Sequence, residues 1–225
     1  MKQSDLLASI GIVISLVSFF VSAIVAYYTY FRPADPKMLV GKNLLFFPSY
    51  FSDAKGNKVF GGISFFLPIT FYNWRSKGTS ITQIRLAIGR KDNPKKYFDM
   101  VAATFITYID DKAQNSEVAQ PIPLPSQSTV SKFIRFDWNP FGEKFEIKAG
   151  EYELIVLAWV GDDKEKAKLT ENFPFFINDL EAETYNQALS NNTPINPVCV
   201  ILDNSSNFQN VWTKDNLKAT YGIMN

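Results

Sequence analysis

IKAGEYELIVLAW, residues 147–159, is a glycine turn followed by a run that is apolar on both faces. Side chains alternate across a strand, so Leu154, Val156 and Ala158 share one face while Ile155, Leu157 and Trp159 share the other. A strand apolar on both sides needs cover on both, which places 154–160 at the centre of a β domain. The same pattern of short apolar runs extends outward from it. Segments 38–47, 62–73, 80–89, 97–109, 129–138, 151–160 and 168–177 read as strands, divided by turns such as DAKGNK (53–58) and RKDNPKK (90–96). No helical run interrupts the series, which predicts a mainly β, antiparallel sandwich. In SITQIRLAIGR, residues 80–90, Ile84, Leu86 and Ile88 are expected to face inward, with Gln83 and Arg85 facing water.

Within the opening stretch, AGEYEL resembles the tyrosine corner of immunoglobulin-like sandwiches, where a phenol at the start of a strand bonds back to nearby backbone. Tyr152 is the match, and Leu154 stands where an antibody domain carries its second cysteine. The chain departs from antibody domains in lacking both cysteines, and neither Trp74 nor Trp138 is placed as their core tryptophan. The resemblance implies an immunoglobulin-like β-sandwich and says nothing about activity. After the last strand, Asn178 and Asp179 can cap a helix over about 180–189, with Glu181 and Glu183 in the first turn where the helix dipole favours them. Asn191, Asn192 and Pro194 end it. PVCVIL (197–202) reads as a short strand, and the polar tail beyond carries anchors at Phe208, Val211, Trp212 and Tyr221. A free tail rarely carries a tryptophan, so this segment is expected to dock on the domain or on a neighbouring subunit.

Ahead of the domain lies LLASIGIVISLVSFFVSAIVAYY, residues 6–28, an uncharged run of roughly 23 residues, long enough to cross a bilayer as a helix. Small residues recur at Ala8, Gly11, Ser15, Ser18, Ser22, Ala26 and Thr29. At about 100° per residue they fall within an arc of roughly 80°. Such a stripe lets helices approach closely and exchange hydrogen bonds, so Gly11, Ser15, Ser18 and Ser22 are expected to pack a homo-oligomer or line a pore. Serine can also bond back to its own i−4 carbonyl, in which case the stripe is passive. A cleaved signal is a further alternative, with Val21-Ser22-Ala23 as the cleavage region. Against it stand the weakly basic head MKQSD and the aromatic cluster Tyr27, Tyr28, Tyr30 and Phe31, of the kind found where a span leaves a membrane. Lys2 precedes the run while Arg32, Lys37 and Lys42 follow it, which predicts a cytoplasmic domain by the positive-inside rule. RPADPK (32–37) is a stiff connector, since its prolines stop the helix. The expected organisation is a transmembrane anchor at 1–31, a linker at 32–37, the β-sandwich at 38–178, and a C-terminal helix, strand and docked tail at 179–225.

Composition bounds function mostly by exclusion. The 225 residues carry 23 Lys and Arg against 22 Asp and Glu, a net charge of +1, which gives no bulk electrostatics for general nucleic-acid binding. One cysteine, Cys199, permits no internal disulfide, as is usual in a reducing compartment. The absence of histidine removes Ser-His-Asp and Cys-His catalysis and histidine-bearing metal sites. No phosphate loop or dinucleotide fingerprint is present. The pairs Asp110-Asp111 and Asp162-Asp163 read as solvated turn charges rather than an acid/base pair or a calcium loop. Asn191-Asn192-Thr193 and Asn204-Ser205-Ser206 fit glycosylation acceptors, which matter only in a eukaryotic secretory pathway. No enzyme, cofactor or metal is predicted. Aromatic residues make up 15% of the chain, with 20 Phe, which points to a well-filled core of sheets.

Basic residues are the remaining ligand candidates. Arg75, Lys77, Arg85, Arg90, Lys132 and Arg135 lie on or after successive strands, and guanidinium forks suit anionic groups such as phosphates. Should subunits meet on an axis, these would form an anion-binding basin; the alternative is ordinary solvated surface. One N-terminal span with a serine stripe, a stiff connector and a cytoplasmic sandwich resembles the single-span membrane effectors of bacterial anti-phage systems, the Hailong type above all. That resemblance implies a homo-oligomeric channel or membrane-disrupting protein of the inner membrane, responding to a nucleotide-derived signal or a protein partner. The alternative is a membrane-anchored scaffold whose sandwich binds another protein at an exposed strand edge.

Overall fold

A helix with no interior glycine pair or proline, apolar apart from its first turn and a stripe of small residues, begins the chain: α1, Gln3–Ala26. It runs into a π-helical turn, Tyr27–Phe31, and ends where Arg32 turns extended ahead of Pro33. The stretch Ile10–Phe31 has a mean hydropathy of 2.4 and none of it is buried by the rest of the protein, so it is long and apolar enough for a membrane anchor or a signal sequence. The computed structural model describes residues 3–109, 112–138, 146–163, 165–191 and 197–202, without the side chains of 3–9, 108, 109, 112, 113 and 115. Lys2, Asp110-Asp111, Asn192-Thr193, Pro194, Asn204-Ser205-Ser206 and the tail anchors Phe208, Val211, Trp212 and Tyr221 lie outside the described residues, as does the Ala8 side chain.

The remainder is mainly β and antiparallel. Its strands are β1 (Lys37–Val40), β2 (Asn43–Ser52), β3 (Lys58–Asn73), β4 (Thr79–Arg90), β5 (Tyr97–Ile109), β6 (Lys112–Val118), β7 (Ile122–Leu124), β8 (Ser128–Trp138), β9 (Gly150–Val160), β10 (Leu169–Ile177) and β11 (Val198–Ile201), with the helix α2 at Asp179–Asn191. The hydrogen-bonded path runs β10-β9-β4-β5-β8-β3-β2-β11, with β1, β6 and β7 added at the sides. β5 joins the two halves. Tyr97 to Val101 pair with β4, whereas Ala102 to Ile106 pair with β8, with a register shift between Ala102 and Thr104. A bulge of this kind bends a strand and raises its twist, and here it carries β5 from one half-sheet into the other. The path curls until Cα atoms of β10 come within 8 Å of β1 and β11, giving a nearly closed, barrel-like body.

Three expectations need correction. Segment 38–47 is two strands, because the Gly41 backbone presses against β3: its N–H donates to the Pro68 carbonyl at 2.8 Å, and a Cβ there would lie 2.4 Å from Pro68 Cγ. The strand at 151–160 is not central. It lies second from the end of the path, between β10 and β4, and its outward residues Ile155, Leu157 and Trp159 are only half-buried. The interior position belongs to β3, 16 residues long, which pairs with β8 on one edge and with β1 and β2 on the other. β6 and β7 were not anticipated, since KAQNSEV is polar and IPL is only three residues long.

The core interleaves both halves. Phe46, Phe65, Phe71, Phe136, Tyr152 and Phe175 are fully buried in one cluster with Leu86, Leu154 and Val156. α2 begins with a reciprocal cap in which Asn178 Oδ1 accepts from the Glu181 N–H at 2.8 Å and Glu181 Oε2 accepts from the Asn178 N–H at 2.8 Å. Its buried face brings Tyr185 against Phe46, with ring centroids 5.8 Å apart. Two ends of the body can be distinguished. At the near end, β1 enters and the β3–β4 and β7–β8 turns lie; at the far end lie the β4–β5 turn and the start of β9.

Candidate functional site

The basic residues singled out in the sequence are dispersed, and most hold a carboxylate. Arg85 forks onto Asp99 across the β4–β5 pair through Nε and Nη2. Arg135 Nε donates to Asp137 Oδ1 at 2.8 Å, two residues along β8, and the same oxygen accepts from the buried Ser64 hydroxyl at 2.5 Å. Lys132 bonds Glu117 at 2.9 Å and lies over the Phe105 ring. That bond is the main cause holding the Glu117 carboxyl below its ordinary pKa. Arg75 reaches Asp35 at 3.5 Å. Lys77 is exposed and has no ion pair among the described residues. Arg75 and Lys77 share a turn at the near end, whereas Arg90 closes β4, 11 residues and roughly 36 Å from Thr79. Within one chain, therefore, the six do not form a single basin.

Arg90 instead lines a far-end cleft of about 500 Å³ with Asp92, Asn93, Lys96, Phe98, Glu146 and Lys148. Two turns build it. The β4–β5 turn folds on Asn93, whose N–H donates to the Arg90 carbonyl at 3.0 Å and whose carbonyl accepts from Lys96 at 3.1 Å. On the other side Tyr152 holds the chain ahead of β9: its hydroxyl donates to the Lys148 carbonyl at 2.8 Å and accepts from the Lys148 N–H at 3.1 Å. This is the backward bond to nearby backbone expected of Tyr152. Burial pushes its phenol pKa up, opposed by the Lys148 bonding and the neighbouring Arg90. Arg90 lies 5.6 Å from the centre of the Tyr152 ring and forks onto Asp92 at 3.0 and 2.6 Å, the bond chiefly responsible for its raised pKa.

The cleft thus gathers Arg90, Lys96 and Lys148 against Asp92 and Glu146 beside one aromatic, Phe98. Lys96 Nζ sits 4.9 Å from the centre of the Phe98 ring, and that ring meets Trp138 edge-on at 5.0 Å. Lys148 Nζ holds Glu146 at 2.9 Å as Arg90 holds Asp92, so the lining is a mixed-charge surface beside a half-buried aromatic, whose cations suit an anionic molecule with a flat apolar part. Sequence reasoning found Arg90 and Tyr152 but missed Lys96, Phe98 and Lys148. The signal for Lys96 is the basic density of RKDNPKK (90–96), whereas nothing local ties Phe98 or Lys148 to Arg90.

On α1, Gly11, Ser15, Ser18 and Ser22 are all exposed, and a Cβ placed on Gly11 would meet nothing within 4 Å beyond its chain neighbours and the helix's own backbone. Ser15 Oγ donates to the Gly11 carbonyl at 2.9 Å, the self-satisfied arrangement. The Ser18 and Ser22 hydroxyls have no hydrogen bond among the described residues. In the Asp162-Asp163 turn, Asp163 Oδ1 accepts from the Glu165 N–H at 3.1 Å.

These observations define a class only at the level of architecture: a nearly closed antiparallel β body behind an N-terminal apolar helix, with a charged cleft at its far end. No family model matches the chain, and no curated protein matches it. Among solved structures it is similar to AvmM, described as catalysing macrocyclisation in alchivemycin A biosynthesis, at 12% identity over 59% of this chain and 96% of that one. The TM-score is 0.28, too low to bear on fold or activity.

Proposed function

We propose that this is a homo-oligomeric single-pass protein of the cell inner membrane, with its β domain on the cytoplasmic side. The domain assembles or senses a signal, and the serine-striped helices form a channel or a membrane-disrupting bundle, as in an anti-phage effector. One observation carries this reading. On a fully exposed apolar helix, Ser18 and Ser22 present hydroxyls without a hydrogen-bond partner among the described residues. In hydrocarbon such groups gain by meeting an acceptor on a second copy, and their small size permits the approach. Arg32, Lys37 and Lys42 after the span support the cytoplasmic orientation. The far-end cleft supports a small anionic signal, nucleotide-derived or otherwise, and its chemistry is binding without an enzymatic step. The buried Tyr152 corner supports an immunoglobulin-like origin for the β domain, as a sandwich bent toward a barrel.

A scaffold without channel activity is the second reading, favoured by the Ser15 bond back to Gly11. Ser18→Leu separates the two, because it adds bulk on the stripe while keeping the segment apolar enough to insert. Val17→Leu adds bulk on the other side of the helix. The effector reading expects Ser18→Leu to shrink the oligomer seen after gentle detergent extraction and to abolish dye entry on overproduction in bacteria, with Val17→Leu unchanged. Equal behaviour of the two variants, or a monomeric and harmless parent, sinks it.

A further inference from the structure

The turn between β3 and β4, residues 74–78, lies against the place where the apolar helix ends. Ser76 Oγ donates to the Tyr28 carbonyl at 3.4 Å, and Arg75 reaches Asp35 of the connector at 3.5 Å. Two residues of chain span at most about 7 Å, so Trp74 is held at the level of the Tyr27–Phe31 turn. Trp74 is nevertheless 67% exposed, whereas Trp138 and Trp159 are half-buried in the body. Slackness is not the cause. Asn73 is fully buried and pins the turn, its Nδ2 donating to the Lys77 carbonyl at 2.7 Å and its Oδ1 accepting from the Arg75 N–H at 3.1 Å. The Gln127 N–H holds the Arg75 carbonyl at 3.1 Å from the neighbouring turn. A pinned turn that meets the end of the helix therefore carries a large aromatic outward, and Tyr27, Tyr28, Tyr30 and Phe31 of that helix end are each more than half exposed.

We infer that this turn is a second membrane contact: Trp74 enters the headgroup level beside the aromatic cluster of the helix, and Arg75 and Lys77 engage the phosphates of an anionic lipid surface. Tryptophan prefers that level because its ring is apolar and its N–H is not. Basic groups there are drawn to anionic lipid over about one Debye length. Lys77 has its charge unpaired among the described residues, and the Arg75 contact with Asp35 is long enough to exchange for a phosphate. A lipid surface fits better than a protein partner because the patch continues the aromatic ring of the helix itself. The inference rests on α1 spanning a bilayer, and is independent of pore formation.

The test uses the full chain with Cys199→Ser, carrying either Trp74→Cys or Lys95→Cys labelled with an environment-sensitive fluorophore. Lys95 lies in the exposed far-end turn and serves as the control. The chain is reconstituted into phosphatidylcholine vesicles with or without phosphatidylglycerol, including lipids brominated near the glycerol end of the acyl chain. The label at 74 is expected to be quenched several-fold more than the label at 95. Adding Arg75→Gln and Lys77→Gln should at least halve the extra quenching gained from phosphatidylglycerol. Unlabelled Trp74→Phe should lower the bromolipid-quenchable share of tryptophan emission, which guards against a label that drives itself into lipid. Equal quenching at 74 and 95, in vesicles from which alkaline carbonate does not extract the chain, overturns the inference and leaves the span intact. Extraction by carbonate overturns the membrane reading and this inference together.

Discussion

Removing one oxygen from Tyr152 tests the link between the core and the far-end cleft. Its ring is fully buried and stacks on Phe175 at 5.3 Å, so Tyr152→Phe keeps the packing. What is lost is a pair of hydrogen bonds to one residue, the Lys148 N–H at 3.1 Å and the Lys148 carbonyl at 2.8 Å. A buried polar group left without a partner costs about 1–3 kcal/mol, and the exposure of Lys148 lets water recover part of that. A net loss of about 2 kcal/mol is expected. For a domain of this size that lowers the melting temperature by roughly 4–8 °C. Circular dichroism melting of the full chain in mild detergent measures it. Tyr97→Phe is the matched control, since that exposed hydroxyl bonds only Glu153 and its removal should move stability by less than about 0.5 kcal/mol. A Tyr152→Phe midpoint within about 1 °C of the parent, or no lower than that of Tyr97→Phe, refutes the corner as a structural element.

Further consequences follow from the same packing. Burial raises the phenol pKa of Tyr152 and of Tyr185 above the ordinary value of 10.0, so the unfolded chain loses these protons first. Their contribution to stability is complete below that value and is lost as pH rises above it, and the melting temperature should fall steeply from about pH 10 upward. Tyr185→Phe should reduce that alkaline loss and leave neutral-pH stability unchanged or up to about 1 kcal/mol higher, because its buried hydroxyl has no hydrogen-bond partner to lose among the described residues. Asn178→Ala removes the N-cap of α2 and should cost about 1 kcal/mol, read as a lower melting temperature; Asn178→Asp should restore it.

Strand positions were legible because alternation is a local signal. Ile84, Leu86 and Ile88 are buried as their spacing requires, and Arg85 stands on the wet face paired to Asp99. The helix cap was equally local, written in Asn178 and Glu181 three residues apart. Strand order was not legible, since it depends on which edges meet. The two apolar faces of 154–160 were equally compatible with a central strand and with the next-to-last place it occupies. Nor does anything in YFDMVAATFITYI announce that β5 shifts register between Ala102 and Thr104 and changes partner. Gly41 is the exception that could have been caught: a glycine inside an apparent strand marks close backbone approach, and here Pro68 supplies it.

The candidate ligand residues show the same division between local and non-local information. Guanidiniums at 75, 85, 90 and 135 looked equivalent in sequence because each follows or occupies a strand. Register decides between them. Arg85 is answered by Asp99 across the β4–β5 pair, and Arg135 by Asp137 on its own strand, so both are committed within flat sheet surface. Arg90 differs because β4 ends there, and the chain must turn back before β5 can pair. That turn raises a wall, Tyr152 fixes a second wall at Lys148, and the space between becomes the cleft. Arg75 and Lys77 differ for the opposite reason, since their turn closes β3 at the end where the apolar helix departs. Carboxylates answer both kinds, Asp92 for Arg90 and Asp99 for Arg85, and what the end of a strand adds is a turn that walls a cleft or meets the helix, where a continuing strand offers only flat sheet surface.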